Sequence, residues 1–219
     1  MKRRLRAEAR VNFERAEARA IGFRVKSGYA IAVVLDGPAS DPKPMSRHIV
    51  ALSDPDIPET RQPHHGSRGV EMDDRREIAR RTKIIERCAQ QAIADLLDGH
   101  ARPNRDRLQI RAALVVGSVI DPQTVGNPHI RAHAFEGRLF RTVLEDALTA
   151  QGVACDVIVE KQLGAQAASA LKQSEPVIKR TVSAFARTLG SPWRGEEKAA
   201  ATAAWTVLAK APAGTLRAE

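Results

Sequence analysis

Residues 20–35 read Ala20-Ile21-Gly22-Phe23-Arg24-Val25-Lys26-Ser27-Gly28-Tyr29-Ala30-Ile31-Ala32-Val33-Val34-Leu35. Two apolar, β-prone runs, Ala20 to Val25 and Tyr29 to Leu35, are separated by Lys26-Ser27-Gly28. A turn of that length containing glycine, set between such runs, predicts a hairpin. Asp36-Gly37-Pro38 stops the second strand. The charged residues Arg24 and Lys26 interrupt the end of the first strand.

Working outward, Arg47 to Leu52 reads as a third strand. A long loop with Pro55, Pro58 and Pro63 follows and carries His64-His65-Gly66. Asp73 to Leu97 is helical: Asp73 and Asp74 suit the cap, and Ile78, Ile85, Ala89, Ala92 and Leu96 form one stripe. After a polar connector from Gly99 to Arg107, Ile110 to Val116 is apolar on both faces, as a central strand should be. His129 to Ala150 is a second amphipathic helix ended by Gly152, and Cys155 to Glu160 is a fifth strand. From Gly164 onward the pattern is helical, with breaks at Pro176 and at Gly190-Ser191-Pro192. The order βββαβαβ followed by helices predicts an α/β fold with a mixed sheet. Trp193 and Trp205 are expected to pack the last helices onto it.

With 219 residues the chain can bury one good core. The reading is one domain over 20–211, a basic tail or helix over 1–19 containing Lys2, Arg3, Arg4, Arg6 and Arg10, and a short tail over 212–219. No apolar run approaches membrane-spanning length, and the charged N-terminus lacks the apolar core of a signal peptide. Cys88 and Cys155 have no CxxC partner, which argues against a disulfide framework or a thiolate zinc site and for a reducing cytoplasm. A formal charge of +9 favours polyanionic partners, nucleic acid or phosphorylated ligands, although arginines scattered through helices also simply solubilise a surface. Aromatics make up only 4%, so base stacking on a single strand has little to work with.

The second helix carries the most informative polar residues. At ~100° per residue, Phe135, Leu139, Phe140, Val143, Leu144 and Ala147 define its core-facing arc. His129, His133 and Glu136 fall in that same arc, in the first two turns after a central strand. Ligands of open α/β sheets gather there, and a helix N-terminus favours anions. Three readings stay open. The trio presents a metal through its i, i+4, i+7 spacing; it forms a binding or acid–base cluster; or it satisfies backbone groups at the helix start. His64-His65 lies in a long loop of the kind that often carries function, or is an exposed, inert pair, and Asp121 is at the ligand end of the sheet or is turn chemistry before proline. Ser27-Gly28 and Gly117-Ser118 offer backbone N–H groups to a phosphate.

The element order and four local stretches resemble the RuvC and YqgF branch of the ribonuclease-H-like superfamily, the Holliday-junction-resolvase-like proteins. Ile21 to Ala30 resembles their first hairpin, and Val115-Val116-Gly117-Ser118 the end of their fourth strand. Val157-Ile158-Val159-Glu160-Lys161-Gln162-Leu163 resembles their fifth strand with its Glu-Arg-Leu-Thr-type motif. Glu196-Glu197-Lys198-Ala199-Ala200-Ala201 resembles their last helix.

In that family, carboxylates from the strands and the last helix hold divalent metals that activate water for phosphodiester cleavage. The resemblance leaves Glu160 and Glu197 as acidic candidates but puts Arg24 where the first-strand aspartate stands. A guanidinium cannot ligate Mg²⁺. The leading expectation is therefore a degenerate domain binding nucleic acid or a phosphorylated ligand through Arg24, Lys26, Ser118, His129 and His133. One alternative is a nuclease or phosphodiesterase using Mg²⁺ or Mn²⁺ on a rearranged ligand set of Glu136, Glu160, Glu197 and a histidine. Another is an assembly protein with a vestigial cleft.

Overall fold

The computed structural model describes residues 17–66, 71–100 and 108–210. Strands β1 (Glu17–Lys26) and β2 (Tyr29–Asp36) form the hairpin, turning at Gly28 with φ +81°. Strand β3 (Lys43–Ala51) pairs antiparallel with β2 and starts four residues before the expected boundary. It is an edge strand whose Met45 and Ile49 stay exposed, so its apolar pattern is weak. Strands β4 (Leu108–Val116) and β5 (Ala154–Val159) add in parallel on the other side of β1. The sheet order is β3-β2-β1-β4-β5.

Helices cover both faces of this sheet. On one, α1 (Arg75–Gly99) and α2 (Pro128–Ala150) bury Ile85, Ile93, Phe140 and Leu144 against Ile21, Phe23 and Leu114. On the other lie α3 (Leu163–Leu171), α4 (Glu175–Ala184), the short α5 (Ala186–Leu189) and α6 (Gly195–Leu208). Asp74 and Asn127 cap α1 and α2 through their side chains, accepting from backbone N–H groups of the first turn.

The alanine-rich α6 lies directly on β1. A Cβ on Gly22 would sit 1.9 Å from the Ala200 carbonyl oxygen and 2.5 Å from the Ala204 nitrogen, so only glycine fits. Period-two alternation then puts Arg24 and Lys26 on the α6 face, just past the end of that contact. Trp205 is buried and donates from its indole N–H to the Ala39 carbonyl at 2.8 Å, tying α6 to the β2–β3 connection. Trp193 donates to the Val182 carbonyl at 3.0 Å and packs the C-terminal helices as expected.

Strand β1 begins at Glu17, inside the stretch read as a tail, and Arg19 is buried there beside Asp36 at 2.9 Å. The basic cluster from Lys2 to Arg10, residues 212–219 and most of the Gly99–Arg107 connector lie outside the described residues. Cys88 and Cys155 are both free thiols, and burial, with Glu145 and Asp156 nearby, pushes Cys155 up to about 12. Among the described residues, no helix is long and apolar enough to cross a membrane.

Candidate functional site

The carboxyl ends of β1, β4 and β5 meet around Arg24. Its guanidinium donates to the Glu160 carboxylate at 2.6 Å and to the Val25 and Val115 carbonyls at 3.2 and 3.3 Å. Glu160 opens a short 3₁₀ turn directly after β5 rather than ending the strand, which leaves its carboxylate half exposed. Two further strand-to-helix pairs sit beside it. Lys26 reaches Glu196 at 3.1 Å, and Arg47 from β3 reaches Glu197 at 3.3 Å. Glu197 also accepts from its own helix start, at the Arg194 N–H. Tyr29 donates to Glu196 at 3.3 Å.

These residues wall an open cleft of ≈ 810 Å³ on the α6 face, with Arg61 and Arg194 on its rim. Each carboxylate in it faces a cation from the sheet. Arg61 and Arg194 have no acidic partner among the described residues. A hard divalent cation needs several carboxylate oxygens free to converge, and here each carboxylate already faces a cation. The cleft therefore does not fit Mg²⁺ or Mn²⁺.

A second cavity, of about 290 Å³, opens on the α2 side of the same strand ends. Arg24 and Lys26 line it from β1, Gly117 and Ser118 follow β4, and His133, Arg138 and Arg141 come from α2. Four cationic side chains and no carboxylate from the described residues line this cavity. Arg24 thus borders both cavities. Arg138 is only loosely neutralised, 3.9 Å from Asp121, and Arg141 pairs with Glu145 at 3.3 Å.

Next to the second cavity lies the histidine cluster. Glu136 is fully buried, with His65 Nδ1 2.6 Å and the His64 backbone N–H 3.3 Å from its Oε1, and His133 Nδ1 3.4 Å from its Oε2. His129 lies against both imidazoles, at ring-centroid distances of 5.2 Å from His65 and 4.6 Å from His133. The loop that delivers His65 is fixed from several sides. Arg81 donates to the Pro63 and His65 carbonyls, Met72 N–H donates to the His64 carbonyl, and Glu71 binds Arg131 at 2.6 Å. His64 stacks on Phe135, and burial holds its imidazole below the usual range.

Two expectations need correction here. His64-His65 is not an exposed pair: the His65 side chain is only 7% exposed and His64 is half-buried. Nor are all three members of the α2 trio in the core. Glu136 is buried, but His129 and His133 are exposed. The geometry joins Arg24 to Glu160, and His133 to Glu136, but does not gather Arg24, His129, His133, Glu136 and Glu160 round one point. His65 and Arg47 were not among the sequence candidates. Neither carries a local signal of its partner, since the partners lie 71 and 150 residues away.

No protein-family model matches this chain, and no curated protein matches it in sequence. Solved structures do match in fold. RuvC of T. thermophilus in complex with a Holliday junction substrate superposes with a TM-score of 0.53 at 12% identity, over 90% of this chain and 97% of that one. A second Thermus thermophilus RuvC structure gives 0.51 at 12% identity, over 88% and 95%. With the sheet order above, these define the class: the chain has the ribonuclease-H-like fold. Within that class its arrangement is similar to RuvC, end to end.

Proposed function

We propose that this protein is a nucleic-acid-binding ribonuclease-H-like domain in which an internal cation stands in place of catalytic metal. The observation that carries the reading is the basic cavity at the carboxyl ends of β1 and β4, lined by Arg24, Lys26, Arg138 and Arg141 with no carboxylate among the described residues. Guanidinium groups bind phosphate oxygens in bidentate fashion, and the nearby Gly117-Ser118 backbone presents further donors. Parallel strands direct their ligands to this edge. The net charge of +9 supplies the attraction that draws a polyanion toward it. The structural likeness to RuvC bound to a Holliday junction supports branched DNA as the first substrate to try.

On the other side of Arg24, the matched pairs Arg24–Glu160, Lys26–Glu196 and Arg47–Glu197 argue against metal-dependent hydrolysis. Retention of four-way junction, duplex DNA and duplex RNA at about 50 mM salt, with cleavage followed in Mg²⁺ and in Mn²⁺, tests both halves. Binding without cleavage is expected. Cleavage abolished by Glu160→Gln would restore the phosphodiesterase reading. Failure to retain any of the three would leave a structural role for the fold.

A further inference from the structure

We propose that His65, His129 and His133 form a binding site for a divalent transition-metal ion, with Zn²⁺ the best-matched probe. One ligating nitrogen from each imidazole lies within 4.8 Å of the other two. Zinc–imidazole bonds of about 2.0–2.1 Å in tetrahedral geometry need nitrogens about 3.4 Å apart. His129 and His133 are exposed, so rotation of their side chains can close that difference. Their i, i+4 spacing on α2 already sets them on one face.

His65 is the fixed ligand. Its Nδ1 lies 2.6 Å from Glu136, whose carboxylate is buried, so the imidazole is oriented and its proton is held on that nitrogen. This is the carboxylate–histidine arrangement that supports metal-bound imidazole. The other ring nitrogen, Nε2, is buried with no hydrogen-bond partner among the described residues. The cluster thus holds two buried polar atoms without a hydrogen bond, this nitrogen and Glu136 Oε2, and a cation on the nitrogen would satisfy the first. Imidazole ligands select zinc, copper and nickel over magnesium or calcium. Three histidines leave a fourth position for water or a ligand oxygen. His133 also lines the basic cavity, so a bound ion would add positive charge beside the proposed phosphate site.

The proposal does not rest on the nucleic-acid reading, and its test reads metal alone. Tag-free protein is stripped with a chelator and titrated with Zn²⁺ against a chromophoric competitor. Co²⁺ substitution then reports the coordination by its visible spectrum. One Zn²⁺ per chain is expected, with tetrahedral Co²⁺ bands. Affinity should fall at least about 10-fold in His129→Ala and in His133→Ala, and by about 10–100-fold in Glu136→Gln. The two exposed histidines can be removed without disturbing the core, which circular dichroism verifies. His48 and His100, whose Nε2 atoms lie 3.1 Å apart, make the competing two-histidine site. Zn²⁺ uptake equal in the parent and in a His129→Ala/His133→Ala double variant overturns the proposal, as does uptake abolished only by His48→Ala.

Discussion

The two sides of the strand ends solve opposite problems. On the α6 side, acidic groups just after β5 and on α6 meet cations on β1 and β3 in three separate pairs at the edge of a wide cleft. On the α2 side a single carboxylate, Glu136, is sealed in the interior and met only by imidazoles and one backbone N–H. In the first arrangement only Lys26–Glu196 is wet and screened by solvent, while Arg24 and Glu197 are themselves buried against more exposed partners. The second concentrates an uncompensated demand in a dry place, where losing a partner is costly. The difference locates the pre-organised chemistry beside α2, although fold likeness alone would direct attention to α6.

The contrast can be broken at Gly22. Gly22→Ala forces α6 off β1, since the new Cβ would lie 1.9 Å from the Ala200 carbonyl oxygen. A destabilisation of about 3 kcal/mol is expected, a melting-point drop of about 6–12 °C. Hydrogen exchange should rise in α6 while α1 and α2 stay protected. Glu136→Ala tests the opposite side. It removes the acceptor that His65 and the His64 N–H share, and about 2–3 kcal/mol of stability should go with it. The loop around His65 should then become sensitive to limited proteolysis.

Arg24→Asp is the sharper probe of the α6 side. It sets a second carboxylate beside that of Glu160 and should cost about 1–3 kcal/mol. Mn²⁺ should return part of that stability as a rise in melting temperature in Arg24→Asp, and no such rise is expected in the parent. The smallest effect belongs to Lys26→Ala. Its pair with Glu196 is about a third exposed on both sides, so stability should change by less than about 0.5 kcal/mol.

Much of the architecture was legible because it rests on local periodicity. The Ile21–Ala30 hairpin, the apolar run ending at Val116 and the stripe of α2 each announce themselves within a dozen residues. The edge strand β3 was read short because an edge needs no buried face: Ile49 is 69% exposed. The site was legible only in fragments. Helical spacing correctly put Glu136 inward, but it could not reveal that His129 and His133 stand in solvent. His65 sits in a proline-rich loop where the histidine pair is visible but nothing local says that it turns inward. Its role follows from a contact made across 71 residues, and only folding brings that contact about. Arg24 could be recognised in sequence as an obstacle to metal chemistry. That it closes on Glu160 and borders two cavities required the structure.

The central claim, that the basic cavity on the α2 side binds a nucleic-acid backbone, is tested most directly by the salt dependence of binding. Fluorescence anisotropy on a labelled four-way junction would compare the parent with an Arg138→Gln/Arg141→Gln double variant. Log K should fall linearly with log salt for both. The slope of the variant should be shallower by about 0.9 for each phosphate no longer neutralised, up to about 1.8 in all, with weaker binding at every salt concentration. Equal slopes and equal affinities would place nucleic acid elsewhere on the protein and contradict the account.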